Sequence, residues 1–192
     1  MKLYLSGLFF LGLITLSGCI GDLVGKGTEE LAELELGEGD MSARIDGRDF
    51  NGRIAWAERS EDTSGIDLSV LRIIGGEIRG KEDGEAIALV LLFGSATVPS
   101  TAIARLSEDC LDNGEPCIAA MYGLSDRSGE IQTNFEADYL IPNSRANISY
   151  EIYDRGDRMA VRGTFDLLLV SNEDDDLTMR VSNGTFDAPF QE

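Results

Sequence analysis

From Met41 onward, apolar and polar residues alternate with a period of two, and turn formers interrupt the pattern at short intervals. Period-two alternation is the mark of half-buried strands. The clearest case is 147–153: Ile148, Tyr150 and Ile152 fall on one face, Ser149 and Glu151 on the other. Asp154-Arg155-Gly156-Asp157 then reads as a hairpin turn. The return strand places Met159, Val161, Phe165, Leu167 and Leu169 on one face. After the acidic turn at 171–176, Leu177, Met179 and Val181 alternate with Thr178, Arg180 and Ser182. Earlier strands are expected at 41–45, 53–58, 66–74, 86–93, 102–106, 118–122 and 131–140. The stretch 86–93 (AIALVLLF) is apolar on both faces, as in a central strand covered on both sides. No part of the domain sustains a helical period. About ten short strands predict an all-β domain, an antiparallel β-sandwich or a flattened β-barrel.

One internal echo stands out. Gly163-Thr164-Phe165-Asp166 recurs as Gly184-Thr185-Phe186-Asp187, 21 residues later. Two copies are too few for a solenoid. The spacing suits strand, turn, strand, and both phenylalanines are expected to enter the core from neighbouring strands.

The amino terminus has a different texture. Lys2 precedes a mostly apolar run from Leu3 to Leu16, which is shorter than the roughly 20 residues of a spanning helix. The run ends in Leu16-Ser17-Gly18-Cys19, which resembles the lipobox of bacterial lipoproteins. That resemblance implies removal of 1–18 as a signal peptide and acylation of Cys19 by diacylglycerol and an amide-linked chain such as palmitate. Several acyl chains hold a protein at a membrane where one does not. Ile20 stands where enterobacterial retention signals carry aspartate, so the expected destination is the outer membrane, facing either the periplasm or the exterior. Residues 19–40 then read as a lipidated cysteine and an acidic tether, and 41–192 as the β-domain. Within the tether, 28–36 has the pattern of one or two helical turns, too short to be stable alone.

Charge narrows the function classes. The chain carries 16 Lys and Arg against 35 Asp and Glu, a formal charge of −19, and no histidine. From Met41 onward, 14 basic residues face 28 acidic ones, a net −14. Such a chain is no general nucleic-acid binder, because phosphate neutralisation needs clustered cations. Without histidine there is no His-based triad and no His-ligated zinc. The acids are scattered rather than blocked, and lysine is scarce, which fits a halophilic surface better than a dedicated acidic face.

Candidate chemistry is sparse. Cys110 and Cys117 frame a run of turn formers around Asn113-Gly114, so outside the cytoplasm they are expected to pair in a disulfide. Closing so short a loop is worth about 2.5 kcal/mol in the chain-entropy picture. Asp174-Asp175-Asp176 and Asp112-Asn113-Gly114-Glu115 supply hard oxygens but lack the alternating spacing of a calcium loop, so no metal is assigned. There is no G-x-S-x-G, S-x-x-K or Walker loop, and a glycosidase pair of carboxylates cannot be singled out. No catalytic residue and no cofactor is expected. Among the aromatics, Tyr150 is assigned to the core by its register. Tyr153 lies on the opposite, polar face and Trp56 has an open register, so these two are the candidate ligand-binding residues.

Ser42-Ala43-Arg44-Ile45-Asp46-Gly47-Arg48-Asp49-Phe50 resembles the A-x-[IV]-D-G-x-x-[FW] opening of a family of small, uncharacterised lipoproteins from Bacteroidota and their relatives. The G-T-F-D stretch and Val181-Ser182-Asn183-Gly184-Thr185-Phe186 resemble that family's closing pair. The resemblance implies a secreted all-β domain and carries no catalytic residues across. The expected function is a non-catalytic accessory module at the envelope, docking another envelope protein. That reading predicts an exposed apolar patch or an unpaired edge strand. The alternative is a small-ligand or glycan binder with a concave pocket or an aromatic row. A hydrolase, the third reading, needs two facing carboxylates in a cleft.

Overall fold

The computed structural model describes residues 39–61, 68–79, 83–95, 97–107, 110, 114–125, 131–138 and 140–191. The expected signal peptide, Cys19 and the expected helical turns of the tether lie outside the described residues. Among the described residues, eleven strands form one antiparallel sheet: β1 (Asp40–Ile45), β2 (Arg48–Gly52), β3 (Ile54–Glu61), β4 (Ser69–Arg79), β5 (Asp83–Phe93), β6 (Thr101–Arg105), β7 (Cys117–Ser125), β8 (Ile131–Ala137), β9 (Arg145–Asp154), β10 (Met159–Ser171) and β11 (Thr178–Pro189). The chain of neighbours runs β2-β1-β11-β10-β8-β7-β5-β4-β3. β10 divides its second edge, pairing with β9 from Met159 to Leu168 and with β8 at Val170 and Ser171. β9 in turn carries β6, so the sheet branches there.

The two ends of this path curl towards each other into a nearly closed, barrel-like sheet. Gln191 donates its backbone N–H to the Ala57 carbonyl of β3 at 2.9 Å, and Phe190 forms a parallel bridge to Ala57. Gly39, just ahead of β1, lies so close to Ala55 that an added Cβ would meet its carbonyl oxygen at 2.3 Å. On the other side, Asn51 of β2 donates its backbone N–H to Glu77 of β4. The interior holds Met41, Phe50, Leu71, Ile73, Ile87, Leu89, Leu91, Tyr122, Phe165 and Phe186, all essentially buried. A second, smaller cluster sits on the opposite face of β3, β4, β5 and β7: Trp56, Ile74, Ala86, Ala88 and Met121. β5 is therefore covered on both faces, as its sequence predicts.

Several strands differ from the sequence reading. β2 was not expected at all. Only Phe50 and Gly52 face inward in it, too few to register as alternation. Its turn, Asp46-Gly47, has φ of 47° and 84°, the doubly left-handed geometry of a two-residue hairpin. The strand expected at 131–140 stops at Ala137, because the Asp138 carboxylate accepts the Leu140 N–H at 2.9 Å and starts a turn. Leu177, expected in the last strand, precedes it and is exposed, as is Met159 at the start of β10.

The G-T-F-D echo has a geometric cause. β10 and β11 pair so that Gly163 lies opposite Phe186, Thr164 opposite Thr185 and Phe165 opposite Gly184. Each phenylalanine ring lies over the other copy's glycine, and the two ring centroids are 6.2 Å apart. Both rings enter the core from neighbouring strands.

Candidate functional site

Outward-facing residues of β6, β9, β10, β11 and β1 line an open groove of about 1020 Å³. Strand register builds it row by row. Thr101, Glu151, Arg162, Asp187 and Asp40 stand side by side across five strands. Beside them runs a second row, Ile103, Ser149, Thr164, Thr185 and Ser42. Adjacent strands are about 4.8 Å apart, so each row is a ladder of neighbouring side chains.

The charged row is internally tied. Arg162 donates to the Glu151 carboxylate, and its guanidinium lies 4.7 Å from the centroid of the Tyr153 ring. Tyr153 donates its hydroxyl to Asp187, at 2.7 and 2.8 Å from the two carboxylate oxygens. The hydrogen bond to Glu151 and its charge raise the Arg162 pKa. Desolvation, then the hydrogen bond to Asp187, raises that of the Tyr153 phenol. Among the described residues that line the groove, the carboxylates Asp40, Glu151 and Asp187 stand against the one cation Arg162. In the second row the Ser42 and Thr185 hydroxyls are hydrogen-bonded at 2.9 Å. Ile103 is 68% exposed beside the groove, a large apolar side chain left in water.

The two aromatic candidates fare differently. Tyr153 belongs to this cluster, but one face of its ring is taken by Arg162 and its hydroxyl by Asp187. Trp56 is only 7% exposed and packs in the second apolar cluster, so it presents no open stacking platform. Tyr150 is buried in the core, and its hydroxyl donates to the Pro99 carbonyl at 3.0 Å.

A second polar constellation lies inside one end of the barrel, where β4 turns into β5. The Glu85 side chain is wholly buried and accepts both arms of Arg48, at 2.9 and 2.8 Å. Tyr122 donates its hydroxyl to the same carboxylate at 2.7 Å. Burial, then the hydrogen bond to Glu85, pushes the Tyr122 phenol well above its ordinary range. Burial lowers the affinity of Arg48 for its proton, but the Glu85 carboxylate outweighs it and the net shift is upward. Tyr122 at the centre of this arrangement packs among the core side chains, its ring centroid 6.4 Å from that of Phe135. Asp138 is buried as well, and desolvation raises its pKa despite the Leu140 N–H.

The remaining candidates are structural. Cys110 and Cys117 are disulfide-bonded, with Cα atoms 5.2 Å apart, and Glu115 returns its N–H to the Cys110 carbonyl at 2.8 Å. In the acidic turn, Asp174 accepts the N–H of Asp176 on its side chain and that of Leu177 on its backbone oxygen. That is a self-satisfied turn. Among the described residues, no group of three or more acids or cysteines is placed to hold a metal ion.

The chain matches no protein-family model, no curated protein and no solved structure.

Proposed function

We propose that this protein is a non-catalytic, lipid-anchored module of the bacterial outer membrane, and that its β-domain docks another envelope protein through the groove beside β6. The anchor reading rests on the lipobox-like Leu16-Ser17-Gly18-Cys19. A separate resemblance, of the 42–50 opening and the G-T-F-D and 181–186 stretches to the small lipoproteins of Bacteroidota, supports the same reading. The docking reading is carried by one observation: Ile103 stands exposed on an edge strand and lines the same groove as Arg162, whose guanidinium lies over the Tyr153 ring. Tyrosine and arginine anchor protein interfaces more than most side chains do, and an apolar neighbour supplies the area to bury.

Replacing Cys19 with serine removes the only thiol available for acylation in that segment. The variant is expected to leave the membrane fraction for the soluble one, as read by fractionation and blotting. Full membrane retention overturns the anchor.

Docking is tested by photocrosslinking in the native host. A benzophenone amino acid at position 103 is expected to give a discrete protein adduct that the same probe at exposed position 177 does not. Identical adducts at both positions, or none, overturn protein docking at this face. A second reading is favoured by the hydroxyl ladder of Ser149, Thr164, Thr185 and Ser42, which suits a glycan. A carbohydrate adduct at 103 in place of a protein one selects it.

A further inference from the structure

We infer that β6 takes up an extended, cationic segment of the docked protein as an additional strand. This rests on the docking reading above and names how the partner is held.

The hydrogen-bond register decides which groups are available. Ile152 donates its N–H to the Ser100 carbonyl at 2.6 Å, and Leu106 donates to Ala146 at 2.9 Å. These bonds mark Ser100–Ile152 and Leu106–Ala146 as bonded pairs of an antiparallel ladder, in which bonded and non-bonded pairs alternate. Ala102 and Ala104 therefore turn their backbone groups towards β9, as the register Ala102–Tyr150 and Ala104–Ile148 requires. Thr101, Ile103 and Arg105 turn theirs away, to the open edge. Among the described residues, β9 is the one strand that pairs with β6. All three edge residues are solvent-exposed. An edge with three outward N–H and three outward C=O groups is a template for another strand.

Charge selects the occupant. A second copy of this chain would bring another domain of net −14 against the first. The groove beside β6 adds Glu151, Asp187 and Asp40 against Arg162, and beyond Ile103 Arg105 at the end of the strand shares its surroundings with Asp166. A basic extended segment meets complementary charge where a second copy meets repulsion. Most edge strands are protected by a lysine, a proline or a bulge. β6 has no lysine, proline or bulge, and its one charge, Arg105, stands at its last position; its pairing with β9 runs without a register shift.

The experiment uses the purified protein and a seven-residue peptide alternating lysine and valine, followed by amide chemical shifts. The expected result is saturable shifts centred on Thr101, Ile103 and Arg105. Affinity should fall at least tenfold between 50 and 500 mM salt, because exposed charge pairs are screened. Ile103→Pro deletes one outward N–H while leaving the donors that face β9, and is expected to weaken binding at least tenfold. Should that variant fold poorly, a peptide methylated on alternate amides supplies the same loss from the partner's side. Shifts centred elsewhere, full affinity in Ile103→Pro or for the methylated peptide, equal binding of a glutamate–valine peptide, or no binding at millimolar concentration each overturn strand addition. A protein adduct at position 103 alongside such a result keeps the docking role and discards this mode. Absence of both discards the docking role itself.

Discussion

Replacing Arg48 with alanine is expected to lower the unfolding free energy by about 3 kcal/mol, read as a shift in denaturant midpoint. The reason is what the substitution leaves behind. Glu85 is wholly enclosed, and Arg48 supplies its counter-charge and two hydrogen bonds at 2.9 and 2.8 Å. Breaking a buried pair from one side costs roughly 3–5 kcal/mol, because an uncompensated charge stays in the core. The lower end applies because the Arg48 side chain is 42% exposed, so water already screens part of the pair. Against a typical total of about 5–15 kcal/mol, a loss of this size is a large share of the stability. In melting temperature it is roughly 6–12 °C for a domain of this length.

The companion variants separate charge from geometry. Arg48→Lys keeps a positive charge but not the two-armed fork, and is expected to lose less than alanine does. Tyr122→Phe removes the hydrogen bond at 2.7 Å and is expected to cost about 1 kcal/mol. Replacing the whole constellation, Arg48→Met with Glu85→Leu and Tyr122→Phe, is expected to recover most of the alanine loss, since no charge and no phenol is then buried without a partner. A triple variant as unstable as Arg48→Ala would mean that the loss comes from packing at the barrel end.

None of this pair was legible in the sequence, while much of its setting was. The alternation around Ile148, Tyr150 and Ile152 assigns the inward face of β9 without a structure, and the same rule works for Val161, Phe165, Leu167 and Leu169 of β10. Arg48 and Glu85 are 37 residues apart and meet only because β2 curls over the barrel end. That closure has no local signature. The Asp46-Gly47 dipeptide did announce the hairpin that starts β2, and a reading alert to it would have added the eleventh strand. In the groove, Glu151 and Arg162 are also opposed by a local hairpin, since the turn centred on Gly156 fixes their register. Asp187 joins them only through the long pairing of β10 with β11. Trp56 illustrates the limit of alternation: β5 is apolar on both faces, so the side of the sheet that a neighbouring tryptophan takes is decided by the barrel as a whole.

The other large effect concerns the paired glycines. Gly163→Ala is expected to be the most disruptive single methyl addition on β10, and more damaging than Gly184→Ala. At Gly163 a Cβ would stand 2.1 Å from the Ser149 carbonyl oxygen and 2.6 Å from Cζ of Phe186. The first contact is with backbone of the paired strand β9, so relieving it means prising β9 from β10 at the middle of their ladder. Losses of about 4 kcal/mol belong to this mechanism, with strand pairing and core packing damaged together. At Gly184 the added carbon would meet three atoms of the Phe165 ring at 2.6 Å, and no backbone atom is among the three. A ring can swing, so the expected cost is about 2 kcal/mol. The difference predicts an asymmetry in rescue. Shortening Phe165 to leucine makes room at Gly184, so Gly184→Ala with Phe165→Leu should lose less than the two single changes added together. Gly163→Ala with Phe186→Leu should gain little, because the Ser149 carbonyl is still in the way. Equal rescue at both positions, measured by chemical denaturation, would show that the strands part easily and that the two rings alone set the demand for glycine.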